Sequence, residues 1–357
     1  MSARPLRVMC LSNMYPGPGA PDYGAFIERM CECMEQRGVE VDRVVIRTRS
    51  SGRLRTPLKY AGLTAKALAA SRRADVIWAH YLFPTGLIAA IAGGLGRTPW
   101  VVTAHGGDVA NLSNGLVRRL SSAPAHSAAA VIAVSEWLAG RMYAEGLRPE
   151  RVQIASMGVD ARRFAIGDRG GARMRLGLPA DAPLVVAVGG LNERKNPLGL
   201  MRAFGLLREQ VPDARLALVG SGPLAGAVDA QARAMGLDEV IIRTGLVPNS
   251  AVTDWMTACD VAALVSLVEP LGVAALEAMA SGRPVVGTEV GGLKEVVPDG
   301  VAGVIVDPRD DEAIAAALGR MLSAPPDPTT CRDAALVHSL DVETDRVLEV
   351  LATAARR

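Results

Sequence analysis

A chain of 357 residues, 50% hydrophobic and 21% charged, is long enough for about two domains and too apolar to be disordered. Its formal net charge of +2 argues against a surface coated with basic residues for nucleic acid. Aromatics make up only 4%, which leaves the core to Ala, Val and Leu.

In chain order, apolar β-branched runs at 7–11, 41–46, 76–79, 100–103, 131–134 and 152–154 read as strands. Helix-period segments lie between them at 25–37, 58–71, 86–94, 115–123 and 136–145. The alternation lapses across 160–183, rich in Arg and Gly, which reads as a linker. It resumes with strands at 184–188, 215–219, 240–243, 261–264, 284–287 and 303–306. The helices of this second series are expected at 197–210, 223–235, 250–258, 273–280 and 312–323. The segment 324–328 (APPDP) breaks a helix, and a last helix is expected over 341–354.

Apolar strands alternating with helices form parallel sheets covered on both faces. Two such series in one chain make an α/β protein of two doubly wound, Rossmann-like domains. Ligands in such folds bind beyond the carboxyl ends of the strands. The natural site is then a cleft between the two sets of strand ends.

The five cysteines, Cys10, Cys31, Cys33, Cys259 and Cys331, form no CxxC pair and no zinc spacing. Reduced thiols in a cytoplasmic chain are the expectation. The N-terminus enters a strand almost at once and lacks the pattern of a signal peptide. The longest apolar run, 87–96, carries three glycines and falls short of the roughly 20 residues that span a bilayer, so it reads as a buried helix.

The strongest local feature is a pair of carboxylates, Glu269 and Glu277, the first in a turn just past a strand and the second inside the following helix. Gly272 permits a tight bend at that helix entry, which turns the first free N–H groups toward a ligand. On spacing alone, a surface glutamate and an ordinary helical glutamate fit equally well.

The wider segment decides. SLVEPLGVAALEAMASGRPVVGT (266–288), VGGLKEVVPDG (290–300) and LVGSGPL (218–224) resemble the signature of the retaining glycosyltransferases of family 4, glycosyl transferases group 1, which have the GT-B fold. SNMYP (12–16) with Gly24 and Phe26, DVIWAHYLFPTG (75–86) and TAHGGD (103–108) resemble the same family. The resemblance spans nearly the whole chain. It implies an acceptor-side domain over 1–165, a nucleotide-sugar domain over 166–335, and a C-terminal helix within 336–357 that crosses back to the first domain.

Residue by residue, the resemblance places Glu269 on hydroxyls of the donor sugar and Glu277 on the ribose. A carboxylate suits both tasks, because it accepts from neighbouring hydroxyls without donating. Lys195 matches the lysine on the diphosphate. The family often has an arginine where this chain has Gly190, and Arg194 is the neighbouring second cation. Leu271, Gly272 and Val273 form the helix entry beside the phosphates, and Leu246 and Val247 lie in the backbone stretch that meets the base. Gly24 matches a glycine that lets the first loop approach the phosphates. His105 matches a histidine beside the anomeric centre, and Asp108 is open between orienting substrate hydroxyls on the acceptor side and capping the next segment.

The implied chemistry is transfer with retention from a UDP- or GDP-sugar to a glycan or lipid-linked acceptor, in the synthesis of cell-envelope polysaccharide or glycolipid. No cofactor and no metal are expected, in keeping with the lack of a D-x-D pair. Two other readings share the fold: a sugar-nucleotide 2-epimerase, and a non-catalytic sugar-nucleotide binder. A nicotinamide enzyme is disfavoured. GSGPLA (220–225) matches a dinucleotide fingerprint formally, but Asp238 and Glu239 precede the next strand rather than end it.

The small net charge hides a division. Residues 1–165 hold 21 Lys and Arg against 12 Asp and Glu, and residues 166–357 hold 18 against 25. The basic groups of the first half include Arg43, Arg47, Arg49, Arg53, Arg55, Lys59, Arg72, Arg73, Arg118 and Arg119. They suit an anionic membrane surface, which makes the expected location cytoplasmic and peripheral on the inner face of the membrane.

Overall fold

The computed structural model describes residues 4–18, 23–48 and 52–357, with backbone alone for 52–55. The chain divides into two units, Met1–Met157 with Leu340–Arg357, and Gly158–Ser339.

The first unit is built on six parallel strands: β1 (Arg7–Ser12), β2 (Glu40–Val45), β3 (Val76–His80), β4 (Trp100–Ala104), β5 (Ala130–Ala133) and β6 (Val152–Ile154). Their order is β2-β1-β3-β4-β5-β6. The order reverses between β1 and β3, which makes the carboxyl ends of these strands the place for a ligand. Helix Ala25–Gln36 buries Ile27, Met30, Cys31 and Met34, the spacing of one helical face. The C-terminal helix Leu340–Ala355 packs in the same core through Val347, Leu351 and Ala354, beside Val8, Cys10 and Trp78. Arg37 fastens it through Asp341 at 3.1 Å and Asp345 at 2.6 Å. The buried Glu343 accepts the backbone N–H of Ser156 at 2.8 Å.

The second unit repeats the plan with β7 (Leu184–Val188), β8 (Arg215–Val219), β9 (Ile241–Gly245), β10 (Val261–Leu264), β11 (Val285–Thr288) and β12 (Gly303–Val306). The order β12-β11-β10-β7-β8-β9 reverses between β7 and β10. Its core gathers Leu200, Phe204 and Leu207 of helix Pro197–Gln210 with Ile314 and Leu318 of helix Asp311–Ser323.

Two expectations need correction. The segment 160–183 is not a linker. It carries helix Arg169–Arg175, capped by Asp168 on the N–H of Gly171 at 3.0 Å, and it belongs to the second unit. Its arginines point inward as well as outward: Arg173 is 1% exposed and donates to the carbonyls of Ala258, Pro179, Ala180 and Ala182. The units therefore part at Met157/Gly158 and Ser339/Leu340, not at 165 and 335. The second correction concerns the proline-rich break, which also starts a helix, Pro328–Leu336, with Pro328 at its first position and Asp327 capping the N–H of Thr329 at 2.8 Å.

Among the described residues no helix is long and apolar enough to cross a membrane. All five cysteines are buried and free.

Candidate functional site

In the second unit the site residues collect where β7 and β10 end. After β7 the chain runs through Gly189 and Gly190 into a single 3₁₀ turn, Glu193–Lys195, whose Lys195 N–H is capped by Asn192 at 3.3 Å. Asn196 then takes a left-handed conformation (φ 51°) and opens helix Pro197–Gln210. This tight path turns the Lys195 side chain back along the strand ends. Arg194 is exposed, and its carbonyl accepts the N–H of Leu267 at 2.7 Å, which ties the turn to the loop after β10.

That loop carries Glu269. Its carboxylate is 7% exposed and pairs with Lys195 Nζ through Oε2, which also accepts from Ser266 Oγ at 3.3 Å. A charge this buried needs a partner, and Lys195 is the partner. The backbone of Glu269 is held as firmly. Its carbonyl accepts the N–H of Gly292 at 2.9 Å, and a Cβ at Gly291 would fall 1.7 Å from the same oxygen. Only glycine fits there, because residue 291 is also left-handed (φ 60°).

Three residues on, Gly272 (φ 103°) opens helix Val273–Ala280 with no side-chain cap. The first N–H groups of this helix are the kind of donors that meet an anion. Leu271 is buried, Val273 is exposed, and Glu277 lies half-buried about one turn along the helix. Leu246 is exposed at the end of β9, and Val247 packs partly against the core of Leu184, Val186 and Trp255. The dinucleotide-like GSG has a packing explanation: a Cβ at Gly220 would lie 2.0 Å from the carbonyl oxygen of Gly189.

In the first unit, His105 follows β4 and His80 ends β3. His80 Nδ1 and His105 Nε2 are 3.1 Å apart. His80 is fully buried, and His105 is half-buried between Phe26 and Tyr81. Burial pushes both imidazoles below their ordinary range, with His105 adding to the effect on His80, so both are neutral at physiological pH. Asp108 is buried and caps rather than protrudes. Oδ1 accepts the N–H groups of His105, Gly106 and Val109 at 2.9–3.1 Å, and Oδ2 accepts that of Leu82 at 2.9 Å. Burial raises its carboxyl while these four N–H groups pull the other way. Of the two readings left open for Asp108, the capping one has these contacts. Gly24 (φ 76°) precedes helix Ala25–Gln36, and a Cβ there would lie 2.4 Å from the carbonyl oxygen of Met14.

The sequence brought His80 into view only as part of a motif and gave it no task. The signal that marks it is position, a polar residue ending a strand otherwise wholly apolar. Ser266 and Asn192 escaped in the same way, since their work is to hold Glu269 and Lys195. Among the described residues no group of three or more His, Cys, Asp or Glu could hold a metal ion.

Residues 7–158 match the model of the glycosyl transferase 4-like domain, and residues 169–337 that of glycosyl transferases group 1. D-inositol 3-phosphate glycosyltransferase 1 of Catenulispora acidiphila is 32% identical over 321 residues, 82% of this chain and 75% of the relative. D-inositol 3-phosphate glycosyltransferase 2 of the same organism is 36% identical over 194 residues, 52% of this chain and 45% of that protein. The match thus spans less than half the length of the second relative. Among solved structures, Anabaena Alr3699/HepE in complex with UDP-glucose superposes with a TM-score of 0.77 over 97% of this chain and 99% of its own, at 21% identity. That likeness speaks for the fold. Taken with the two reversing parallel sheets and the relative matched over three quarters of its length, these findings establish that the chain belongs to the glycosyl transferases group 1, the family 4 type with the GT-B fold.

Proposed function

We propose that this protein is a retaining glycosyltransferase that moves a sugar from a UDP- or GDP-sugar to a glycan or lipid-linked acceptor in cell-envelope polysaccharide or glycolipid synthesis. The observation that carries this reading is the Lys195–Glu269 pair beside the uncapped start of helix Val273–Ala280. It brings a cation from the loop after β7 against a buried carboxylate from the loop after β10, three residues before free N–H donors, the set that a sugar diphosphate requires.

In this reading Lys195, Arg194 and the N–H groups at Gly272 and Val273 bind the diphosphate. Glu277 holds the ribose, and Leu271, Leu246 and Val247 flank the nucleoside. Glu269 and His105 hold hydroxyls of the sugar, and the backbone at Gly24 approaches the phosphates. Asp108 acts by fixing the backbone of His105. The acceptor hydroxyl attacks the anomeric carbon on the face the diphosphate leaves. The bond from that carbon to the phosphate oxygen breaks, and the departing phosphate takes the acceptor proton. Catalysis is then positioning and charge stabilisation, and no metal step is invoked.

A donor panel tests this. Saturating UDP- or GDP-sugar should raise the thermal midpoint, since a ligand at 100 times its Kd stabilises by about 2.7 kcal/mol. With an acceptor extract, free nucleotide diphosphate should appear. A changed sugar without acceptor would mark an epimerase, and binding without product a non-catalytic binder. Either result overturns the transferase reading.

The acceptor side is proposed to work at an anionic membrane surface on the cytoplasmic face. Helices Gly52–Ser71, Thr85–Gly96 and Gly115–His126 pack side by side and leave Leu58, Ile91, Leu95 and Leu116 exposed. Exposed Lys66, Arg72, Arg73, Arg97, Arg118 and Arg119 lie on or next to the same helices. Arg49 lies outside the described residues, as do the side chains of Arg53 and Arg55. Arg43 is engaged with Glu35 and Tyr15, Arg47 with the carbonyl of Pro16, and Lys59 with that of Thr48, so these three contribute less. Vesicles of phosphatidylglycerol should sediment the protein and release it as salt rises. Equal binding to neutral phosphatidylcholine, indifferent to salt, would end the idea.

A further inference from the structure

His80 has no place in the transfer scheme above, yet it is the partner of the residue that has one. Its ring is fully buried between Trp78, at 4.2 Å between centroids, and His105, at 5.3 Å. The two imidazoles are inclined by only 22°. Their centroid separation equals the 3.1 Å N···N distance plus two ring radii, so the nitrogens meet head-on. This contact is an in-plane hydrogen bond and not a face-to-face stack.

Which nitrogen donates follows from the far side of His80. Its Nε2 is buried and has no hydrogen-bond partner among the described residues. If Nε2 bore the proton, a buried N–H would be stranded. If Nδ1 bears it, only a lone pair is stranded, and orphaned buried N–H groups are the rarer and costlier defect. His80 is then the donor, through Nδ1–H, and His105 Nε2 the acceptor. A neutral His105 that accepts at Nε2 must carry its own proton on Nδ1. The bond to His80 is the one hydrogen bond that the His105 ring makes among the described residues, so its Nδ1–H is free to donate.

We propose that His80 is a positioning residue that locks His105 as the Nδ1–H tautomer, so that His105 offers the transferred sugar a hydrogen-bond donor rather than an acceptor. Two further residues brace the arrangement. Asp108 Oδ1 holds the backbone N–H of His105 at 3.0 Å, and Thr85 Oγ1 donates to the carbonyls of His80 and Tyr81. The sugar as recipient rests on the transferase reading, whereas the tautomer does not.

Selective ¹⁵N-histidine labelling of the whole protein tests the tautomer directly, because the chain has four histidines. His105→Gln assigns the His105 signals. The wild type should show a protonated Nδ1 on both His80 and His105, with a bare Nε2 on each. His80→Phe keeps the ring shape and removes the donor. His105 should then lose its fixed tautomer, and kcat should fall about 10–100-fold, the scale on which losing the partner of a working imidazole is felt elsewhere, with KM for the donor sugar changed far less. His80→Asn places an amide N–H near the position of Nδ1 and should restore both the tautomer and most of kcat. A proton on His105 Nε2 in the wild type overturns the proposal. So does a His80→Phe protein with unaltered His105 signals and kcat. If His80→Phe fails to fold, the wild-type and His80→Asn spectra decide by themselves. Expected spectra in a protein that turns over no donor would uphold the histidine pair and remove the transferase reading instead.

Discussion

Glu269→Gln is expected to lower kcat about 10²–10³-fold, the cost of losing one aimed group in a water-poor site, while nucleotide diphosphate binds as well as before or better. The carboxylate of Glu269 is nearly sealed from solvent and answers to Lys195 and Ser266. Glutamine keeps the shape and removes the charge. Its amide also turns donor hydrogens toward Lys195 or toward the sugar hydroxyls, which need acceptors. Lys195, released from its pair, is then freer to meet the diphosphate, which is why affinity should hold or rise. Glu277→Ala should show the opposite profile, with weaker nucleotide diphosphate binding and a smaller change in kcat under saturation. Nucleotide release assays and titration calorimetry separate the two. If both variants lose affinity and kcat in equal measure, the division of labour between these glutamates is wrong.

Arg173→Leu should lower the melting midpoint of the second unit by roughly 10 °C. Breaking a buried charge pair by removing one partner costs about 3–5 kcal/mol, and each kcal/mol shifts the midpoint of a unit of this size by about 2–4 °C. The guanidinium of Arg173 meets four carbonyls at 2.8–3.0 Å and Asp260 at 2.7 Å. Asp260 in turn holds the N–H of Leu184 at 2.8 Å, so the arginine anchors helix Arg169–Arg175 to the start of β7. Burial depresses the Arg173 pKa, while a guanidinium in a protein stays charged. The transition that a bound nucleotide sugar raises is the one to follow, since a chain of two units need not melt in a single step. A drop of only a degree or two would mean that the segment 158–183 docks by other means.

Much of this was legible beforehand, and the reason is periodicity. Strands such as Leu184–Val188 and Val261–Leu264 are buried on both faces, so they stand out as unbroken apolar runs between helical segments. Glu269 and Glu277 stand out as a turn-and-helix pair after a strand, whereas Lys195 and the tasks of all three come from the resemblance to the family. What stayed hidden is pairwise and remote. Nothing local in the sequence says that Lys195 reaches Glu269 across 74 positions, or that Gly291 must lack a side chain because Glu269 has its carbonyl there. Arg173 was misread for a related reason: arginine and glycine together look solvated until the carbonyls that receive the guanidinium are in place. His80 was overlooked because a histidine inside an apolar strand gives no hint of which neighbour its ring will meet.

The ends of the second unit lie together. Val159 bridges to Ser339, and its N–H donates to the carbonyl of His338 at 2.9 Å. On the other side of each boundary, Ser156 is held by Glu343. In the logic of chain topology, the second unit is a guest inserted into a host, entering and leaving through one doorway. Gene fragments should respect that. Residues 158–339 form a continuous piece that can be cut out whole, while the host is closed by a short splice from Met157 to Leu340. A truncation that stops anywhere in helix Leu340–Ala355 takes away part of the host's core.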